Sequence, residues 1–306
     1  MSEQKAENEN LVKRDPRHIG PFEVGPLGFG CWRFVNTDVE TATQRISHAL
    51  DLGLTLIDNA DVYGLDWGGT AFGEAEALLG QVLAHAPELR QRMVLASKGG
   101  ILPGVPYVAN STYLSAACDA SLARLNTEHI DLYQIHRPDM LTHPAETAAA
   151  LDGLVAAGKI RAIGVSNYTP AQTRALAAHL KAPLVASQCE YSLANLAMLR
   201  DGNLDLCTET GMVPMAWSPL GGGALMTGTD LPEALLETCD RLAARENTDR
   251  AGLALAFVLA HPAGPVALIG SQTPARLTQA VKALDVTLTR ADVYALIEAR
   301  EGVPLP

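Results

Sequence analysis

Met93-Val-Leu-Ala-Ser-Lys98 and Ile130-Asp-Leu-Tyr-Gln-Ile-His136 are mainly apolar runs that each end on a side chain able to carry positive charge. Six further runs share their length and their taste for apolar and β-branched residues: Leu27–Cys31, Leu54–Asp58, Ile160–Ser166, Leu184–Gln188, Val213–Trp217 and Val266–Gly270. Runs this short read as buried strands. Helical spacing fills the gaps, as in the stripe Leu114, Ala117, Cys118, Leu122 and Leu125, which recurs along one helix face. Punctuation agrees, because Thr169-Pro170 is a cap followed by a proline at the first helical position, and Gly158 stands where a helix should stop. Strands apolar on both faces and separated by helices must pair in parallel. The reading is therefore an α/β fold, either a doubly wound open sheet or a (β/α)8 TIM barrel.

The ends of the runs decide between the two. Asp58, Lys98, His136, Ser166, Gln188 and Ser218 all interrupt apolar character at or just past a strand's C-terminal end. In a barrel those ends share one rim, where active sites are built; in an open sheet the outer ones would lie far apart. The barrel is predicted over residues 16–306 as one domain, after a disordered leader at 1–15, and Val12–Gly25 is expected to form a small hairpin at the barrel's bottom.

Composition narrows the function. The chain has 306 residues, a net charge of −11, 48% hydrophobic and 19% charged residues, which argues against nucleic acid as partner and against disorder as the main state. Five cysteines without a Cys-x-x-Cys pair fit a reduced, cytoplasmic protein. No apolar stretch follows the charges of the first residues, and the longest such run, Ala251–Ala260, is too short to cross a bilayer. Neither a targeting segment nor a membrane partner is expected. Sequence alone leaves the oligomeric state open.

Several apparent motifs fail on context. Gly153-Leu-Val-Ala-Ala-Gly158-Lys159 imitates a phosphate loop, but Ile160 follows it and the order is helix then strand, the reverse of what phosphate binding needs. There is no Gly-x-Gly-x-x-Gly and no Gly-x-Ser-x-Gly. His136, His143 and Asp139 match no zinc spacing, so His143 and Asp139 are read as solvated loop residues.

Asp58, Tyr63, Lys98 and His136 are different when taken together, since they stand at or just beyond the ends of three consecutive barrel strands. A lysine buried at a strand end needs an acid, and Asp58 is the one available. An ammonium beside a phenol favours the phenolate, so the pKa of Tyr63 is expected to fall toward a range useful for acid–base work.

These segments resemble the aldo-keto reductases. The resemblance rests on Leu56-Ile-Asp-Asn-Ala-Asp-Val-Tyr-Gly64, Leu95-Ala-Ser-Lys-Gly99, Asp131-Leu-Tyr-Gln-Ile-His-Arg-Pro-Asp139, Gly164-Val-Ser-Asn-Tyr168 and Ala216-Trp-Ser-Pro-Leu-Gly221, in the family's order across most of the chain. It implies an NADPH-dependent reduction of small aldehydes or ketones to alcohols. Tyr63 would be the general acid, Lys98 held by Asp58 would tune it, and His136 would orient the carbonyl.

By position, the resemblance also implies a cofactor path. Ser166, Asn167 and Gln188 would hold the nicotinamide carboxamide, Asp58 would stand close by, and Trp217 would stack under the ring. Ser218, Leu220, Gly221 and Gly222 would line the pyrophosphate, and Gly30, Cys31 and Trp32 would lie near nicotinamide and substrate. Many members carry a lysine after the last strand to meet the 2′-phosphate, where this chain has Gly270; Ser271 and Arg276 remain, with Gln279 in reach of the adenine. NADPH is thus expected over NADH, with NADH possible. Trp32, Tyr63, Trp67, His136 and Arg137 would form the substrate mouth, suited to a carbonyl compound with an apolar body, and Leu65–Thr70 would be a loop able to cover it. Two other readings stand beside this one: a Schiff-base aldolase using Lys98, and a nucleotide-binding redox-sensor module with little turnover.

Overall fold

A computed structural model describes residues 9–65 and 68–305. Among them an antiparallel hairpin, β1 (Arg17–Ile19) and β2 (Phe22–Val24), precedes eight parallel strands that close a barrel. These are β3 (Leu27–Gly30), β4 (Leu56–Asp58), β5 (Val94–Gly99), β6 (Ile130–Ile135), β7 (Ile160–Ser166), β8 (Leu184–Glu190), β9 (Val213–Trp217) and β10 (Val266–Ile269). They run round the barrel in chain order, and β10 returns to pair with β3. All eight expected strands are present. The largest shifts are at β4, which starts at Leu56 rather than Leu54, and at β8, which continues to Glu190.

Alternation along each strand sorts side chains into two cores. Leu56, Val94, Ala96, Leu132 and Leu268 fill the barrel interior, and Ile19 and Val24 of the hairpin join them, so the hairpin plugs the N-terminal end. Residues of opposite parity, such as Leu95, Tyr133 and Ile135, face the helices. The interior parity continues upward from Val94 and Ala96 to Lys98, and from Leu132 to Gln134 and His136. Apolar residues low in the barrel and polar ones at its C-terminal rim thus follow from one register.

The helices start and stop for local reasons. Asn110 caps the helix Ser111–Leu125 by accepting from the backbone of Tyr113. Thr169 and Gln172 form a capping box on Pro170–Ala177. Gly158, at φ +72, ends Pro144–Ala156 as expected. Of the expected stripe, Leu114, Cys118 and Leu125 are fully buried.

Residues 9–15 depart from the expected disordered leader. The Leu11 amide donates to Leu288 O at 2.8 Å, the Lys13 amide to Leu259 O at 3.3 Å, and Val12 is buried. An apolar side chain at position 12 and backbone groups that find partners make this stretch a strap; residues 1–8 lie outside the described residues.

Candidate active site

Lys98 is fully buried at the top of β5, and its Nζ donates to three acceptors: Asp58 Oδ2 at 2.7 Å, Asn59 O at 2.9 Å and Tyr63 Oη at 3.0 Å. β4 delivers Asp58 from the neighbouring strand, and the turn that follows carries Tyr63, whose amide donates to Ala60 O. The Asp61 amide donates to Lys98 O at 3.0 Å, tying that turn to β5. Across the rim the His136 ring meets the Tyr63 ring edge-on, 5.7 Å between centroids. Asp58, Tyr63, Lys98 and His136 thus converge.

The electrostatics differ from expectation at Tyr63. Burial of its hydroxyl pushes the phenol pKa up, and the nearby Lys98 charge only partly offsets this. Desolvation is the larger effect, and because Lys98 is paired with Asp58 the phenol meets an ion pair instead of a bare cation. Burial alone would lower the Lys98 pKa, but Asp58 and Tyr63 more than reverse that and hold the ammonium above the usual lysine value. Such a nitrogen has no lone pair to offer a carbonyl, which weighs against a Schiff-base role. Burial, reinforced by Lys98 and Arg137, drops the His136 pKa well below the usual histidine value. Its ring is therefore neutral at physiological pH, and its buried Nδ1 has no hydrogen-bond partner among the described residues.

Asp58 is held from a side the sequence reading missed. Its Oδ1 accepts from Gln188 Nε2 at 3.0 Å and from Gln134 Nε2 at 3.3 Å, and Gln188 Nε2 also lies 3.4 Å from Gln134 Oε1. Gln134 shares the inward parity of Leu132 and His136, which was the available signal. Asn167, in the left-handed region at φ +59, donates to Ser166 Oγ at 2.8 Å and to His136 O at 3.1 Å, while Trp217 Nε1 donates to its Oδ1 at 3.1 Å. Ser166, Asn167, Gln188 and Trp217 therefore stand together beside the catalytic candidates, and the amides of Asn167 and Gln188 are engaged with protein groups.

The remaining expected residues divide. Ser218, at φ +48, accepts from the Gly221 amide at 2.8 Å, and the left-handed Gly221–Gly223 follow, with Leu220 partly buried beneath them. Gly30 and Gly270 lie side by side at the tops of β3 and β10, bridged by Gln272, whose Nε2 donates to both carbonyls. Ser271 and Gln279 are half-buried and Arg276 is exposed, on or just before the helix Pro274–Val281. Trp32 is half-buried with the Arg33 guanidinium 5.9 Å from its ring, and Arg137 is half-buried beside His136. Cys31 is fully buried in the outer core with Phe29 and Phe34; burial and the charge of Asp58 push its thiol pKa up and Lys98 opposes them, so it stands close to the same cluster. Trp67 lies outside the described residues, as does part of the Leu65–Thr70 loop. Asp139 and His143 are not merely solvated, because Asp139 accepts from Ala109 N, Leu141 N and Thr142 Oγ1, and His143 caps the helix Pro144–Ala156.

A closed parallel barrel with a buried Lys–Asp pair against a tyrosine on its C-terminal rim is a barrel with an acid–base site, and comparison with known proteins shows that it is an oxidoreductase. The model of the Aldo/keto reductase family matches residues 26–301, so the chain belongs to that family. It is 46% identical to the 6-dehydroglucose reductase of Novosphingobium aromaticivorans, over 94% of this chain and 95% of that protein. An aldo/keto reductase from Klebsiella pneumoniae, solved with NADP and acetate, is 28% identical with a TM-score of 0.77, covering 96% of this chain and 97% of that one. A thermostable aldo-keto reductase bound to the inhibitor epalrestat is 26% identical with a TM-score of 0.80, covering 92% and 98%.

Proposed function

We propose that this chain reduces aldehydes to alcohols with NADPH, with Tyr63 as the general acid. The observation that carries the reading is the Lys98 ammonium, fixed by Asp58 and 3.0 Å from the Tyr63 hydroxyl. NADPH supplies hydride when bound. The residues present suit such a group: backbone at Gly222, Gly223 and Gly270 has open space where a Cβ would stand, and the Trp217 ring is half-exposed beside Ser166 and Asn167. Ser218, Leu220, Gly221 and Gly222 would hold the pyrophosphate, and Ser271, Arg276 and Gln279 the adenosine end. Arg276 can fork onto a 2′-phosphate even though Gly270 replaces a lysine, which favours NADPH over NADH.

Each catalytic residue then has a physical task. A phenol whose pKa is raised stays protonated at neutral pH, so Tyr63 Oη is ready to give its proton to the carbonyl oxygen as charge develops there. The phenolate left behind is stabilised by Lys98. His136, being neutral, can hydrogen-bond the carbonyl oxygen without adding a charge. For substrate, the name of the 46% identical relative recommends an aldehyde sugar such as 6-dehydroglucose. The Arg137 and Trp32 side chains offer one hydrogen-bonding and one apolar face to it.

The test follows cofactor absorbance with 6-dehydroglucose and with 4-nitrobenzaldehyde. Tyr63→Phe is expected to lower kcat by about 10²–10⁴-fold, the range of a lost general acid, and to keep NADPH affinity. Full activity in Tyr63→Phe would remove the proposed acid. Tight NADPH binding without turnover on any carbonyl would favour the redox-sensor reading instead, and no binding of either nucleotide would overturn the cofactor assignment.

A further inference from the structure

The end of the helix Arg290–Glu301 reaches across to the loop after β8 with two adjacent side chains. Arg300 donates from Nε at 3.1 Å and from Nη2 at 2.8 Å to one acceptor, the carbonyl of Ala194. The neighbouring Glu301 accepts a fork from Arg200, with Nη2 contacts at 2.7 and 2.6 Å and Nε at 2.9 Å. Both ends of the segment 194–200 are thereby fixed to one helix end. Arg300 makes no ion pair among the described residues, so its charge is committed to a backbone carbonyl and not to an acid.

Ala194 is in turn the wall against which Gly221 sits. A Cβ on Gly221 would stand 2.5 Å from the Ala194 Cβ, and Gly221 is at φ +59. The Ala194 turn is stiff, because Ser192 Oγ accepts from the amides of Ala194 and Asn195, and Asn195 Nδ2 donates to Glu190 Oε2 at 2.9 Å. Beyond Gly221 the loop is different in kind: a Cβ on Gly222 or Gly223 would meet nothing within 4 Å. One wall, held by Arg300, therefore sets the position of a glycine loop whose far side is open.

We infer that Arg300 is a positioning residue for the dinucleotide: through Ala194 it holds Gly221–Gly223 at the spacing needed to receive the pyrophosphate, with Arg200 and Glu301 as the second arm of the same clamp. This rests on the reading that the Ser218–Gly223 loop lines the pyrophosphate. Arg300 touches neither hydride nor carbonyl, so the clamp acts on affinity and leaves the chemical step alone. A guanidinium suits the task because two donors in one plane fix a carbonyl's direction, which a lysine cannot do.

The experiment measures Kd for NADPH and for 2′-AMP, which carries the adenosine and the 2′-phosphate but no pyrophosphate, and kcat at saturating NADPH, in wild type, Arg300→Ala, Arg300→Lys and Arg200→Ala. Arg300→Ala is expected to weaken NADPH binding about tenfold, the scale of a lost supporting hydrogen-bond pair, with Arg300→Lys and Arg200→Ala in between. Binding of 2′-AMP and kcat should stay within about twofold, a split that general loosening does not produce. Unchanged NADPH affinity in Arg300→Ala would overturn the inference, and so would equal losses for NADPH and 2′-AMP. Failure of the wild type to bind NADPH would instead sink the cofactor reading on which it rests.

Discussion

At the scale of single residues, the site is a buried ion pair whose members hold one another and little else could replace. Asp58 collects Lys98 on one oxygen and two glutamine amides on the other, so removing it leaves a fully buried ammonium without its counter-charge. Asp58→Ala is expected to cost about 3–5 kcal/mol of folding stability, the usual penalty for breaking a buried pair, read as a shift in urea midpoint. Asp61 offers a contrast. Both its carboxylate oxygens are buried without a hydrogen-bond partner among the described residues. Burial, then the charge of Glu76, holds its pKa well above the carboxylate range, with Arg124 and Lys98 opposing. A folded pKa above the unfolded value of about 3.9 means that stability is lost as pH rises from that value through the folded one. Asp61→Asn removes this titration at nearly constant volume. Its Tm relative to wild type should therefore climb as pH rises above the unfolded value of about 4; a constant difference would show that Asp61 is ionised in the fold.

At the scale of elements, two helices meet where sequence propensity gives the wrong sign. Gly80 lies inside the helix Glu74–His85, where Ala is ordinarily better by about 1 kcal/mol. Yet a Cβ there would stand 2.0 Å from Arg124 O on the helix Ser111–Leu125, and that contact is backbone, which cannot swing aside. Gly80→Ala should destabilise by about 1–3 kcal/mol through overpacking, measured by denaturant unfolding. A gain in stability would mean that the helices can separate. The same distinction explains what the sequence made legible. The eight strands and the converging Asp58, Tyr63, Lys98 and His136 were readable because apolar runs with polar ends obey a local register. Gln134 was passed over because it lies one step below the rim, inside a run taken as apolar, although Leu132, Gln134 and His136 share a parity. The complete burial of Cys31 was not readable, because a position at the rim says nothing of which way a side chain turns. The sign of the Tyr63 shift was not readable, since it depends first on how deeply the hydroxyl is buried and then on the balance of the Lys98 and Asp58 charges.

At the scale of the whole molecule, the barrel has a chemical end and a closing end, and the two are separable. The closing end carries the hairpin plug and the strap at 9–15, locked by Arg17. That guanidinium is buried and donates to Gly264 O at 2.9 Å, to Lys13 O at 3.1 Å and to Asp15 O. It thus joins the start of the barrel to the turn before its last strand without meeting an acid through these bonds. Burial accordingly lowers its pKa, and Asp15 offsets this only partly. Arg17→Met keeps much of the side-chain volume but leaves three carbonyls without their donor. With hydrogen bonds from charged groups contributing about 1.5–3 kcal/mol net each, and the methionine recovering part of this by apolar burial, a loss of about 2–4 kcal/mol is expected. Loss of the lock should release the strap first, because its other ties are few and weak: backbone bonds to Leu259 and Leu288, the Asn10 side-chain amide between Val286 O and the Leu288 amide, the exposed Arg14–Asp285 pair and the single buried side chain of Val12, and local opening precedes global unfolding where contacts are few. Limited proteolysis should therefore cut the variant within about residues 9–16 several-fold faster than wild type. Turnover per folded molecule should be unchanged, since the rim that carries the proposed catalytic residues lies at the other end of strands packed throughout their length. Proteolysis at the wild-type rate would show that the strap is held without Arg17; a fall in kcat matching the proteolysis would show that the two ends are coupled through the barrel.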